Sequence, residues 1–204
     1  MLNNTMIEQY AALIFDMDGT LIDTMPAHAE AWELVGKHFG YSFDSQIMYR
    51  LGGAPLKTVA SAIMEAADMP LTRLPEVMRI KREISYTLIP QKATLLPTFD
   101  IVKHYYQKKS MAIGSGSHRN MIDLLVKHLQ IGDYFNGIIS ADDVEHHKPH
   151  PETFLRCAAL CCAKPAQSLV FEDADLGVEA GLNAGMDVFD VRTGQIIKAG
   201  TIKA

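Results

Sequence analysis

Apolar positions along this chain fall into two rhythms. A short unbroken run, Ala11-Ala12-Leu13-Ile14-Phe15, comes first. Its length and apolarity fit a strand buried on both faces, although a helical segment of that length would look the same. From Thr24 the spacing turns helical. Thr24 is expected as an N-cap with Pro26 in the first turn, and Ala31, Leu34, Val35 and Phe39 recur until Gly40 ends the run. Pro55 opens a second helix with the face Leu56, Val59, Ala60, Ile63 and Ala67, and Pro75 a third with Val77, Ile80, Ile84 and Leu88. Residues 24–89 therefore read as a helical block without a strand signal.

From Leu95 the chain alternates. Short apolar runs at 111–115, 137–140, 168–171 and 186–191 read as strands, separated by helical spacing at 101–106, 122–129, 151–162 and 175–184. The last dozen residues carry little pattern. Alternating strands and helices imply right-handed crossovers and an α/β fold: a Rossmann-like, mostly parallel sheet with helices on both faces. The expected division is a core of residues 1–22 and 91–204 with the helical segment 23–90 inserted after the first strand.

Composition narrows the functional classes. A chain of 204 residues, 48% hydrophobic and 21% charged, can bury an ordinary globular core. A formal charge of −5 argues against a protein built to coat nucleic acid or an anionic membrane. No apolar run reaches the ~18 residues of a membrane span, and no export signal is visible at the N-terminus, so a cytoplasmic monomer is expected. Cys157, Cys161 and Cys162 lie in one apolar helical stretch and match no zinc spacing, so they are read as buried packing thiols.

The candidate chemistry lies at the ends of the strands. The first run ends in Asp16-Met17-Asp18-Gly19-Thr20, the second in Ser115, the fourth in Glu172-Asp173, and Lys148 follows the third between Pro149 and His147. Taken alone, Asp-x-Asp-Gly reads equally well as an acidic turn after a strand. In a parallel sheet, however, these ends share one edge. Four acids, a lysine and a hydroxyl in one crevice form a set suited to Mg²⁺ and a phosphoryl group. Glu172 and Asp173 also fit the N-cap region of the next helix, which is compatible with that role. His146, His147 and His150 invite a metal reading, but their spacing in a proline-bound loop offers no good tetrahedral set.

The four motifs, in this order and at strand ends, resemble those of the haloacid dehalogenase-like superfamily. Phe171-Glu172-Asp173-Ala174-Asp175, His146-His147-Lys148-Pro149 and Gly52-Gly53-Ala54-Pro55 carry a closer resemblance to its β-phosphoglucomutase-like branch, and within it to bacterial phosphatases of the fructose 1-phosphate and 6-phosphogluconate type. The resemblance implies that Asp16 is a nucleophile forming an aspartyl-phosphate and Asp18 the general acid and base. It implies further that Asp16, the Asp18 carbonyl, Glu172 and Asp173 hold Mg²⁺, that Lys148, Ser115 and the Gly116 backbone hold phosphate, and that the helical insert is a cap that sets substrate choice.

The cap separates a phosphatase from a mutase. His28 and Trp32, four apart on the first cap helix, match a histidine and tryptophan of the mutase. Against this, Leu56 stands where the mutase has an arginine for a second phosphate, and the neighbouring Lys57 is a point charge rather than a bidentate clamp. Arg82 is expected to meet a second acidic group. The reading is a Mg²⁺-dependent phosphatase of small phosphorylated sugars, with a phosphohexomutase as alternative and an idle phospho-ligand-binding member as a third. A dehalogenase is disfavoured because it has no use for Asp18.

Overall fold

The computed structural model describes residues 4–52 and 54–200. Gly53 of the predicted cap loop lies outside the described residues. In chain order, helix α1 (Asn4–Ile7) precedes strand β1 (Ala12–Phe15) and the short β2 (Ile22–Asp23). The helical block follows as α2 (Met25–Phe39), α3 (Gln46–Arg50), α4 (Leu56–Ala66) and α5 (Leu74–Lys92). The chain continues through β3 (Thr94–Leu95), α6 (Phe99–Tyr105), β4 (Ser110–Gly114), α7 (Arg119–Leu129) and β5 (Gly137–Ile139). It ends with α8 (Glu152–Leu160), β6 (Ser168–Glu172), α9 (Asp175–Asn183), β7 (Asp187–Asp190) and β8 (Gln195–Ile197).

The main sheet has the order β5-β4-β1-β6-β7-β8. Its pairings are parallel except β7–β8, which is antiparallel. Every residue of β1 is buried, as a central strand covered on both faces requires. Its side chains alternate between two cores. Leu13 and Phe15 join Met111, Ile113, Leu169 and Phe171 on one face, where Phe15 stacks on Phe171 at 4.5 Å. Ala12 and Ile14 join Ala112, Val170 and Phe154 on the other. A third cluster, built on Trp32, Val35, Ile63 and Val77, belongs to the helical block alone.

After β1 the chain builds outward through β4 and β5, then crosses to the opposite side of β1 for β6 and β7. The carboxyl end of β1 is therefore the switch point of the sheet, where open α/β folds bind ligands.

Several expectations need correction. Thr24 does not cap α2 with its side chain, because its hydroxyl is drawn to Asp18 instead. The strands β2 and β3 pair with each other, Ile22 to Leu95 and Asp23 to Thr94, although two-residue strands carry no periodicity to read. The third cap helix, α5, runs past the anticipated end at 89 and includes Pro90, while α3 was too short to show a helical stripe. β8 lies in the stretch that carried little pattern. Cys157 and Cys161 are buried, but Cys162 is exposed just past α8 with a positive φ of 51°.

Candidate active site

The end of β1 delivers Asp16, and the turn behind it delivers Asp18. Gly19 makes that turn possible: its φ is +88°, and a Cβ there would stand 2.2 Å from Oδ2 of Asp173. Lys148, from the loop after β5, donates to Oδ1 of Asp16 at 2.6 Å and to Oε1 of Glu172 at 2.7 Å. All three are buried. The other Glu172 oxygen accepts the Ala174 N–H at 2.7 Å, and Asp173 accepts the Thr20 hydroxyl at 2.9 Å.

Negative charge exceeds positive here. Burial raises the Asp16 carboxyl well above the usual carboxylate range, Lys148 pulls it down, and Glu172, Asp173 and Asp18 push it up again. Burial and Glu172 raise Asp173 to about 6. Against its own burial, the Lys148 ammonium is held charged by Asp16 and Glu172. Asp16, Glu172 and Asp173 each offer a carboxylate oxygen within 4.8 Å of the others. This hard-oxygen set, three carboxylates against the one ammonium of Lys148, is short of two positive charges and fits a small divalent cation such as Mg²⁺. The Asp18 carboxylate lies outside that cluster.

Asp18 is held differently. Its Oδ1 accepts from Thr24 at 2.6 Å, and its Oδ2 from Ser117 at 2.8 Å and Ser115 at 3.3 Å. Nε2 of His28 faces Oδ1 at 3.9 Å, beyond hydrogen-bond reach. Burial and the neighbouring Lys81 lower His28 to about 4, so the ring is neutral near pH 7 and the contact is not an ion pair. Lys81 approaches Nδ1 of His28 at 3.1 Å and donates to Ser85 at 2.7 Å. With Nδ1 as acceptor, the ring proton is placed on Nε2, toward Asp18.

The residues at the sheet edge open into a cavity of about 310 Å³ beneath the helical block. Asp16, Asp18, Gly116, Glu172 and Asp173 form its floor. Met25, Trp32, Met48 and Leu56 supply apolar walls, and the neutral His28 with the basic Lys57, Lys81 and Arg82 a polar side. Ser115 and Lys148 lie buried beneath the floor. The cap residues anticipated from sequence thus reach one cavity, although Lys57 and Arg82 are exposed while Lys81 is 2% exposed. Sequence reasoning missed Lys81, Ser117 and Thr24. For Lys81 a signal existed: Val77, Lys81, Ser85 and Ile89 follow one another at i, i+4 spacing on the buried face of α5. Two polar residues on an apolar stripe mark a helix facing a ligand as well as a core.

An α/β core with paired acids at its switch point, a buried lysine from a third strand end and a helical insert overhead defines a phosphoryl-transfer class of hydrolase. A sequence model of the haloacid dehalogenase-like hydrolase family matches residues 13–191, and the chain belongs to that family. Among its relatives, an uncharacterized protein of Haemophilus influenzae is 64% identical over 97% of this chain and 98% of its own length. The fructose-1-phosphate phosphatase YqaB of Escherichia coli is 43% identical over 92% of this chain and 99% of its own. The crystal structure of a β-phosphoglucomutase from Clostridium difficile superimposes with a TM-score of 0.75 at 25% identity, covering 89% of this chain and 84% of that one.

Proposed function

We propose that the protein is a Mg²⁺-dependent phosphatase of small phosphorylated sugars, fructose 1-phosphate among them, acting through an aspartyl-phosphate. The observation that carries this reading is the buried Lys148 bridge to Asp16 and Glu172. A buried ammonium between two carboxylates, beside a third acid held ready at Asp18, suits attack on an anion. A phosphate ester would meet uncompensated repulsion at Asp16 without such neutralisation.

In this reading Asp16, positioned through Oδ1 by Lys148, attacks phosphorus with its other oxygen. Asp18 protonates the departing sugar oxygen, then takes a proton from the water that hydrolyses the aspartyl-phosphate. Ser115 and the Gly116 backbone hold phosphoryl oxygens, with Ser117 steadying Asp18. Asp16, Glu172, Asp173 and the Asp18 carbonyl would hold Mg²⁺, which supplies charge neutralisation toward the phosphoryl oxygens. Residues 23–90 act as the cap over the core of residues 1–22 and 91–204, with His28, Lys57 and Arg82 meeting the sugar and Trp32 walling it in.

Asp16→Asn separates an enzyme from a phospho-ligand binder: phosphate release from fructose 1-phosphate with Mg²⁺ should vanish while the fold survives. Activity undiminished in that variant would refute the assignment. The mutase alternative draws on the His28–Lys81–Asp18 arrangement. Conversion of β-glucose 1-phosphate to glucose 6-phosphate without net phosphate release would decide for it.

A further inference from the structure

The loop that carries Lys148 holds a second group of potential ligands. His146, His150 and Glu152 each offer one ligand atom, and these atoms lie within 4.8 Å of one another. The histidine spacing alone had suggested His146, His147 and His150, a set with poor geometry. In the folded loop His147 turns to the active-site cavity and Glu152, the first residue of α8, takes its place. We propose that His146, His150 and Glu152 form a site for a Zn²⁺-class divalent ion, separate from the acids at the sheet edge.

Two ligands on a tetrahedral zinc with bonds of ~2.0–2.1 Å stand about 3.3 Å apart. Nδ1 of His146 and Oε2 of Glu152 already stand at 3.3 Å. The His146 and His150 rings lie 4.5 Å apart between centroids and 33° from parallel, so a modest rotation of exposed side chains brings both nitrogens to one point. Nδ1 of His150 accepts only a long 3.3 Å contact from the Glu152 amide, a weak competitor for its lone pair.

Glu152 is the anchored member. It accepts the His146 N–H at 3.0 Å and the Glu145 N–H at 3.3 Å, and Arg156 binds Oε1 at 2.9 Å. Although desolvation raises it, these donors lower its carboxyl to about 2, so it is ionised wherever imidazole is neutral. Such fixed partners orient a metal-binding carboxylate before the ion arrives. Two imidazoles select Zn²⁺, Co²⁺, Ni²⁺ or Cu²⁺ over Mg²⁺, so donor type alone separates this site from the all-oxygen cluster of Asp16, Glu172 and Asp173. The two histidines flank Lys148 in sequence, and an ion there would fasten the loop on either side of the residue that reaches Asp16.

Co²⁺ titration of untagged protein in excess Mg²⁺ tests the site, because four-coordinate Co²⁺ absorbs visible light far more strongly than six-coordinate Co²⁺. The expected result is one equivalent bound with the four-coordinate spectrum, displaced by Zn²⁺. His150→Ala and His146→Ala, both at exposed positions, should keep the wild-type far-ultraviolet circular dichroism and weaken binding at least ~10-fold, since even an outer partner's removal has that effect. Asp173→Asn should leave the spectrum intact. Absence of the spectrum in the wild type, its survival in either histidine variant with less than tenfold loss, or its disappearance in Asp173→Asn would overturn the proposal.

Discussion

Lys81→Met is expected to stabilise the protein near neutral pH, and to do so less as pH rises. Lys81 is 2% exposed, with its ammonium over the Trp32 ring at 5.2 Å and donating to Ser85. Burial lowers its pKa from 10.5 to about 7, with Asp18 opposing from across the cavity. The sign follows from linkage. Between pH 7 and 10.5 the unfolded chain binds the Lys81 proton and the folded chain does not, so wild-type stability rises with pH across that window. Below pH 7 Lys81 is charged in both states, and the full cost of burying its ammonium is present. Each tenfold difference in proton affinity corresponds to about 1.4 kcal/mol, so the cost near pH 6 is of order 5 kcal/mol, an upper bound before the lost hydrogen bonds are counted. Relative to Lys81→Met, the wild type should gain about 2 kcal/mol between pH 7 and pH 9. Urea unfolding of both proteins at several pH values gives the difference directly. A difference that stays flat from pH 7 to 9 would show that Lys81 keeps an ordinary pKa, and would refute the burial argument.

Lys148→Met leaves Asp16 and Glu172 buried without their shared cation, and should destabilise by about 3–5 kcal/mol, with added Mg²⁺ restoring part of the loss in urea unfolding. A loss under ~1 kcal/mol would mean that the acids relax or bind protons at little cost. Gly177→Ala tests packing against propensity. In an open helix the change should stabilise by roughly 1 kcal/mol, but here the new Cβ would fall 1.7 Å from Oε1 of Glu172, the atom that meets Lys148. The expectation is a destabilised protein with phosphatase kcat cut at least ~10-fold; a more stable variant of full activity would contradict the crowding.

Much of the candidate site at the sheet edge was legible because it is written locally. A buried strand announces itself by a short apolar run, and the residue after it is carried to the sheet edge whatever happens elsewhere. Asp16, Ser115, Glu172 and Asp173 could be placed together on that ground alone. What escaped depended on tertiary contacts. Thr24 looked like a cap until Asp18 competed for its hydroxyl. Arg82 drew notice as a charged residue near a resemblance, whereas the helical turn of α5 sends Lys81, one residue earlier, inward. Glu152 was invisible as a partner of His146 because a loop reversal, not spacing, brings them together.

The two-residue pairing of β2 with β3 has a consequence for how such a chain diversifies. Ile22 and Asp23 leave the core beside Thr94 and Leu95, which return to it. Paired strands lie only ~4.8 Å apart, so the whole intervening segment departs and rejoins at one seam. The registers of β1 with β4 and β6 make no reference to what the seam encloses. Its apolar cluster is likewise its own. Selection can therefore remodel the walls that this segment lends the cavity, residue by residue or wholesale, while Asp16, Lys148 and Glu172 keep their places on the other piece of the polypeptide.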